Sequence, residues 1–332
     1  MGNLKEKLPD IAALEAKLDS VLASSLTDFL SATHTRRQEL ISARRFAAIA
    51  GSFAFAIVAA LYILSDTYGQ WFGNVMIGVA MVWVVLIIVA GRRWLMNERL
   101  LAKEMNMAMV PILADIFDRQ FMYTHNEVHQ EETRQLLFES KLITLPKLTI
   151  TSDDMYHVYN KENVSFRELH VTRRVKRGKS ETTEEVFKGV FMVAGLPKEH
   201  PAETYVSTEG DRSGFAHRTF WHDVFEFGDI EETELEWNDF ERDLHVASSD
   251  GRVAREVLTP DFMQDLHEWW LEHKLNIRIA FKGRMMYMLL PDASIQIGSS
   301  TTSTKPKKIR RFAFALAKPV WRSLRLFEDL KN

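Results

Sequence analysis

Hydrophobic and polar positions divide this chain sharply. Phe46 to Leu64 (FAAIAGSFAFAIVAALYIL) carries no charged residue, and neither does Gly73 to Ala90 (GNVMIGVAMVWVVLIIVA). At about 1.5 Å of rise per residue, each stretch makes a helix of roughly 27 Å, close to a hydrocarbon core of about 30 Å. The pattern predicts a transmembrane hairpin over residues 46–90, with spans 46–64 and 73–90. Arg36, Arg37, Arg44 and Arg45 precede the first span, and Arg92, Arg93, Arg99 and Lys103 follow the second. The connection from Ser65 to Phe72 has Asp66, Tyr68 and Trp71 but no lysine or arginine. The positive-inside bias places both termini in the cytoplasm. Gly51, Ser52, Ala56 and Ala60 form a small-residue face for a close neighbour, either the second span or another copy of the chain.

Outside the hairpin the periodicity changes twice. In residues 1–45, Ile11, Leu14, Leu18, Val21 and Leu22 recur at threes and fours, which predicts a cytoplasmic amphipathic helix. Residues 91–147 read as a helical stalk, the pattern resuming at Pro111 through Ile112, Ile116, Phe117 and Phe121 toward Leu137. From Leu148, β-branched and aromatic residues alternate with polar ones, as at Val171, Val175, Val186, Val190, Phe191, Ile277, Ile279 and Phe281. Thr259 and Pro260 supply an N-cap and a first-turn proline for a helix bearing Phe262, Met263, Leu266 and Trp269 or Trp270. The fold expected is α+β: the transmembrane hairpin, then a cytoplasmic, mainly antiparallel sheet domain over 148–298 with covering helices. Residues 299–332 form a polar linker (GSSTTST, Gly298–Thr304) and a basic amphipathic tail.

Charge sharpens this division. The formal charge of the 332 residues is -3, but Lys305 to Asn332 holds nine Lys/Arg against two Asp/Glu, so the tail carries +7 and the rest -10. Ile309, Phe312, Leu316, Val320, Leu324 and Phe327 recur beside cations, with Pro319 able to end one helix and start another. The cations Lys307, Lys308, Arg310, Arg311, Lys318, Arg322 and Arg325 suit a helix lying on anionic lipids, or one docked on the acidic body of this or a neighbouring chain. The chain has no cysteine, which removes disulfides, thiol catalysis and thiolate metal sites.

The stretch Trp237 to Met263 (WNDFERDLHVASSDGRVAREVLTPDFM) resembles the signature of a bacterial family, domain of unknown function 3137. The matching residues are Phe240, Glu241, Val246, Asp250, Ala254, Arg255, Leu258, Thr259, Pro260, Phe262 and Met263, and Phe187 to Phe191 looks like that family's Phe-Lys-Gly strand. Glu256 departs from the pattern, which has an aromatic after Ala-Arg. The resemblance implies two spans ahead of the domain and transfers no activity. Read physically, Asp250 caps a short helix in which Val253, Val257 and Leu258 face inward, and Arg255 projects toward a carboxylate.

Chemistry-bearing residues are present without a catalytic motif. His125 and His129 lie one helical turn apart in HNEVH, near Glu127, Glu131 and Glu132, as a metal pair or an exposed helix face. His217 and His222 flank Phe220 and Trp221 in what reads as a strand. Asp229, Glu231, Glu232, Glu234, Glu236, Asp239, Glu241 and Asp243 form an acidic run without EF-hand spacing. Arg173, Arg174, Lys176, Arg177 and Lys179 face Glu181, Glu184 and Glu185 if the chain turns at Gly178, so nucleic acid is not the expected partner. No GxxxxGK[ST], GxGxxG or GxSxG occurs, and no cofactor is expected. These observations lead to an interaction or scaffolding module anchored in a bacterial inner membrane, which contacts anionic lipids and self-associates or binds a protein. The competing expectation is an enzyme acting on a membrane-proximal substrate, with Asp250, Arg255 and histidines converging on a pocket.

Overall fold

A computed structural model of the chain describes residues 10–64, 70–125, 129–159, 163–177, 180–208, 220–226, 228–274, 276–291 and 305–330. Three long helices come first: α1 (Ile11–Ala32), α2 (His34–Leu64) and α3 (Gln70–Phe117). Then follow β1 (Gln120–His125), α4 (Gln130–Ser140), β2 (Leu148–Tyr159), β3 (Val164–Arg177), β4 (Ser180–Thr208) and α5 (Phe220–Phe225). The chain continues through β5 (Glu231–Glu232), α6 (Asn238–Asp243), β6 (Leu244–Ser248), α7 (Gly251–Val257), α8 (Pro260–His273), β7 (Arg278–Pro291) and α9 (Pro306–Asp329). The fold is α+β, and its one described sheet is antiparallel and open.

One compact unit spans Leu22–Met109 and is built on α2 and α3. As α2 advances from Arg36 through Arg44 to Phe53, its partners on α3 step backward from Glu104 through Glu98 to Trp83, so the helices run antiparallel. Arg36 Nε meets Glu104 Oε1 at 2.7 Å, and the Phe53 and Trp83 rings stack at 5.6 Å. Both helices are long and apolar enough to cross a membrane, and only 17% and 6% of their apolar windows is buried. Core helices of a water-soluble body are mostly covered, whereas these apolar windows are not.

The second unit holds α1 up to Val21, α3 from Val110, the strands and α9 from Arg310. Its sheet runs in the order β1-β2-β3-β4-β6-β5, with β7 on the other edge of β4. Val190, Phe191, Met192 and Val193 are all at most 3% exposed, and since successive strand residues point to opposite faces, β4 is covered on both. One face carries Phe187, Phe191, Tyr205, Tyr287 and Leu289 with Leu137 of α4 and Phe220 and Val224 of α5. On the other, Phe281 meets Phe262 of α8 edge-on at 5.9 Å. Gly189 sits opposite Pro291 on β7, and a β-carbon there would lie 2.1 Å from the Leu290 carbonyl oxygen and 2.9 Å from the Phe187 ring. Only glycine lets these strands approach so closely.

The helical stalk expected to reach Leu137 stops at Phe117. Asp118 takes a left-handed φ of 51°, which aspartate tolerates better than most residues, and β1 then pairs antiparallel with β2, Phe121 opposite Val158. Pro319, expected to divide the tail, lies inside a continuous α9. Leu316, Ala317, Val320 and Trp321 are at most 2% exposed, so packing on both sides of the proline offsets the one lost rung of the helix. Arg310 pairs with Asp19 of α1, and Arg325 Nη2 donates to Asp265 Oδ1 of α8 at 2.7 Å.

Gly189→Ala should lower stability by about 3 kcal/mol, because backbone on β7 would have to shift. Thermal unfolding of the full-length chain in detergent, followed by near-UV circular dichroism, measures this. Lys188→Ala, at the exposed neighbouring position, should change stability by less than about 0.5 kcal/mol.

Candidate functional site

Residues 237–263 fold as a succession of turns and caps. Asp250 lies in extended backbone and accepts from Arg252 N at 2.9 Å, which caps α7. Ala254 and Leu258 are the buried positions of that turn, at 0% and 1%, while Val253 and Val257 are half-buried. Arg255, expected beside a carboxylate, donates from Nη2 to the Glu234 carbonyl oxygen at 2.8 Å instead, tying α7 to the acidic run. Thr259 accepts from Phe262 N at 3.3 Å and Pro260 occupies the first turn, so α8 starts at once. Phe262 and Leu266 are fully buried, with Trp269 at 8% and Trp270 at 4%.

An open groove of about 520 Å³ lies between α8 and the acidic run. Glu236, Trp237, Pro260, Met263, Gln264, His267 and Glu268 line it. Its framework is braced from behind: His267, at 6% exposure, has Nε2 2.9 Å from Asp243 Oδ2, and its ring stacks nearly parallel on Trp270 at 6.2 Å. Trp237 meets His267 edge-on at 5.4 Å and stacks on Phe240 at 5.9 Å. Of the family-like residues, Phe240 and Ala254 are core, Asp250 and Thr259 are caps, and Pro260 and Met263 reach the groove. Asp250 and Arg255 are not among the residues that line it.

Residues 185–320 match the family described as "Protein of unknown function (DUF3137)". The resemblance read from the Trp237 to Met263 stretch is therefore shown across the groove, the long strands β4 and β7 and the first part of α9. A search of curated proteins finds no match. Among solved structures, the crystal structure of the mycobacterial trehalose monomycolate transport factor A aligns over 59% of this chain and 86% of that one, at 9% identity and a TM-score of 0.31. A likeness of that size fixes neither fold nor function.

The other candidate residues are dispersed. His125 ends β1 and its Nδ1 lies 2.7 Å from Asp154 Oδ1, while His129 stands before α4 with Nδ1 3.0 Å from Glu132 Oε2. The residues expected to join them in a helical turn, 126–128, lie outside the described residues, and no metal-capable group of three occurs among the described residues. His217 lies outside the described residues, and His222 belongs to helix α5 where a strand was expected. In the basic hairpin, Arg173 faces Glu184 in a 2.9 Å ion pair and Lys176 is in register with Glu181. Along α9, Arg310 and Arg325 hold the helix to the body, Arg322 lies over Trp321, and Lys307, Lys308 and Arg311 are exposed.

Two clusters escaped the sequence reading because each is completed by residues far away in the chain, Ser248 in one and Lys141 and Lys282 in the other. His200 Nε2 lies 2.8 Å from Thr204 Oγ1, which is 2.8 Å from Ser248 Oγ. All three residues are at most 5% exposed, so no substrate reaches this relay, and burial pulls the His200 pKa down. Glu203 receives Lys141 at 3.0 Å, the Tyr205 hydroxyl at 2.8 Å and Lys282 at 3.3 Å. Burial acts to raise the Glu203 carboxyl, but the bonds from Lys141 and Tyr205 and the charges of Lys282 and Lys141 outweigh it and hold the pKa below its ordinary 4.5. The groove was missed for the same reason. Its one local signal is Met263 and His267, four apart on α8, sharing a side of the helix.

Because Asp250 caps α7, Asp250→Ala should cost about 1 kcal/mol in urea unfolding while Asp250→Asn stays near wild type, since asparagine caps equally well. Glu203 contributes stability in full above pH 4.5, and that contribution fades as pH falls through its depressed folded value. The acid limb of the urea midpoint against pH should therefore be shallower for Glu203→Gln than for wild type.

Proposed function

We propose that this chain is a membrane-anchored interaction module that holds its α+β body at the cytoplasmic face of a bacterial inner membrane. The observation that carries the reading is the exposed apolar belt on α2 and α3. Phe53 and Ile49 are each 56% exposed, Phe55 78%, Val82 60%, Val85 58% and Ile88 51%. A patch of that kind is unstable in water and suits lipid tails. Charge supports the orientation. Arginines precede the apolar stretch of α2 and follow that of α3, while Ser65 to Phe72 contains neither lysine nor arginine.

The body supports the interaction part of the reading. Its polar clusters are ion-paired or sealed among described residues, and the groove beside α8 offers shape without a nucleophile such as serine or lysine in its lining. The buried face of α9 is turned to the body. Lipid contact by the tail therefore falls to its exposed cations Lys307, Lys308 and Arg311, each worth about 1 kcal/mol near an anionic surface. A second copy or another protein is the partner expected at the membrane.

Two measurements test the anchor. The chain should stay in the membrane fraction through alkaline carbonate washing. Because it has no native cysteine, Thr67→Cys should react with a membrane-impermeant maleimide added outside intact spheroplasts. Release by carbonate would refute the anchor, and labelling only after lysis would reverse the orientation.

A further inference from the structure

We propose that the groove beside α8 receives a cationic peptide segment of a partner protein, its lysine or arginine side chains seated at Trp237 between the carboxylates of Glu236 and Glu268. This rests on the interaction reading above and names the partner's chemistry. The groove's volume of about 520 Å³ holds a few side chains and not a whole domain. Trp237, Pro260 and Met263 supply apolar surface on which the aliphatic stem of a lysine or arginine lies, while Glu236 and Glu268 are exposed to meet its charge. A tryptophan attracts a cation within about 6 Å of its ring. The described lining contains no lysine or arginine and its one histidine is held by Asp243, so an anionic ligand would face the carboxylates of Glu236 and Glu268.

Two further features favour a peptide over a small free cation. Glu231, Glu232 and Glu234 are exposed on the segment that leads into Trp237, and spaced carboxylates reward a ligand with spaced positive charges. The nearby Arg242 does not cancel them, because it is drawn to Asp239 at 3.1 Å and Asp243 at 3.7 Å. The groove is also preformed. Phe240 and His267 brace Trp237, Asp243 holds His267, and Gln264 Nε2 donates to Glu268 Oε1 at 3.0 Å, so little ordering is left for the binding step.

The test uses the full-length chain in nanodiscs of zwitterionic phosphatidylcholine, which deny a basic peptide any anionic lipid. Three probes are titrated by fluorescence anisotropy or competition: a short peptide alternating lysine and leucine, the same peptide with glutamate for lysine, and choline chloride. The lysine peptide should bind, weaken as salt rises, and lose about tenfold in affinity, or about 1.4 kcal/mol, in the Glu236→Gln/Glu268→Gln variant. Trp237→Leu should weaken it as well. Equal binding of the two peptides, or binding unchanged by the double variant, would overturn the proposal. Choline displacing the peptide and saturating the groove by itself would also overturn it, in favour of a small organic cation. Both variants alter solvent-accessible side chains, and a circular dichroism melt matching wild type certifies the fold. The carbonate and maleimide measurements are independent of these titrations, so failure of the anchor and failure of the groove are told apart.

Discussion

The close approach of β4 and β7 at Gly189 is the constraint on which the body depends. Twenty-nine residues of β4 form the central strand, flanked by β3 and β6 on one edge and β7 on the other. Both faces of its middle are buried, so the helices on each side take their positions from it. The layer of α4 and α5 rests on Phe187, Phe191 and Tyr205, and α8 reaches the opposite face through Phe262. The groove follows from that second contact. Once Thr259 and Pro260 start α8 and Phe262 seats it, Met263 and His267 stand beside Trp237.

What could be read from the sequence was what is local. Two uncharged stretches announce apolar helices because burial and charge are written in consecutive residues. The Thr259-Pro260 start of α8 is equally local, as is the charge pattern that sets Arg173 against Glu184. The strand β1 was hidden because QFMYTH follows a long helix and its apolar spacing fits either period; pairing with β2 decides it, and that partner lies tens of residues away. The expected helical spacing of His125 and His129 changes with it, since His125 ends that strand. Pro319 misled for the opposite reason: the local rule favours a break, and tertiary burial overrides it.

The charge separation between tail and body takes on a specific form. Part of the tail's excess is used in holding α9 down, through Arg310 on Asp19 and Arg325 on Asp265, and part is left exposed at its beginning. The acidic run keeps most of its carboxylates in water, with Glu241 turned inward to accept from Leu235 N. An acidic surface that is neither neutralised by α9 nor folded around a metal among the described residues is available to something cationic.

The ion pair between Arg310 and Asp19 joins residues 291 positions apart. On a ribosome adding about 5 to 20 residues each second, roughly 15 to 60 s separate the synthesis of its two ends. During that interval Glu15 and Asp19 of α1 stand without the arginine that pairs with them in the finished protein. The apolar segments of α2 and α3 emerge long before, and the sheet after them. Helix α1 is thus made long before the helix that carries its Arg310 partner, and a chain truncated before α9 lacks that ion pair.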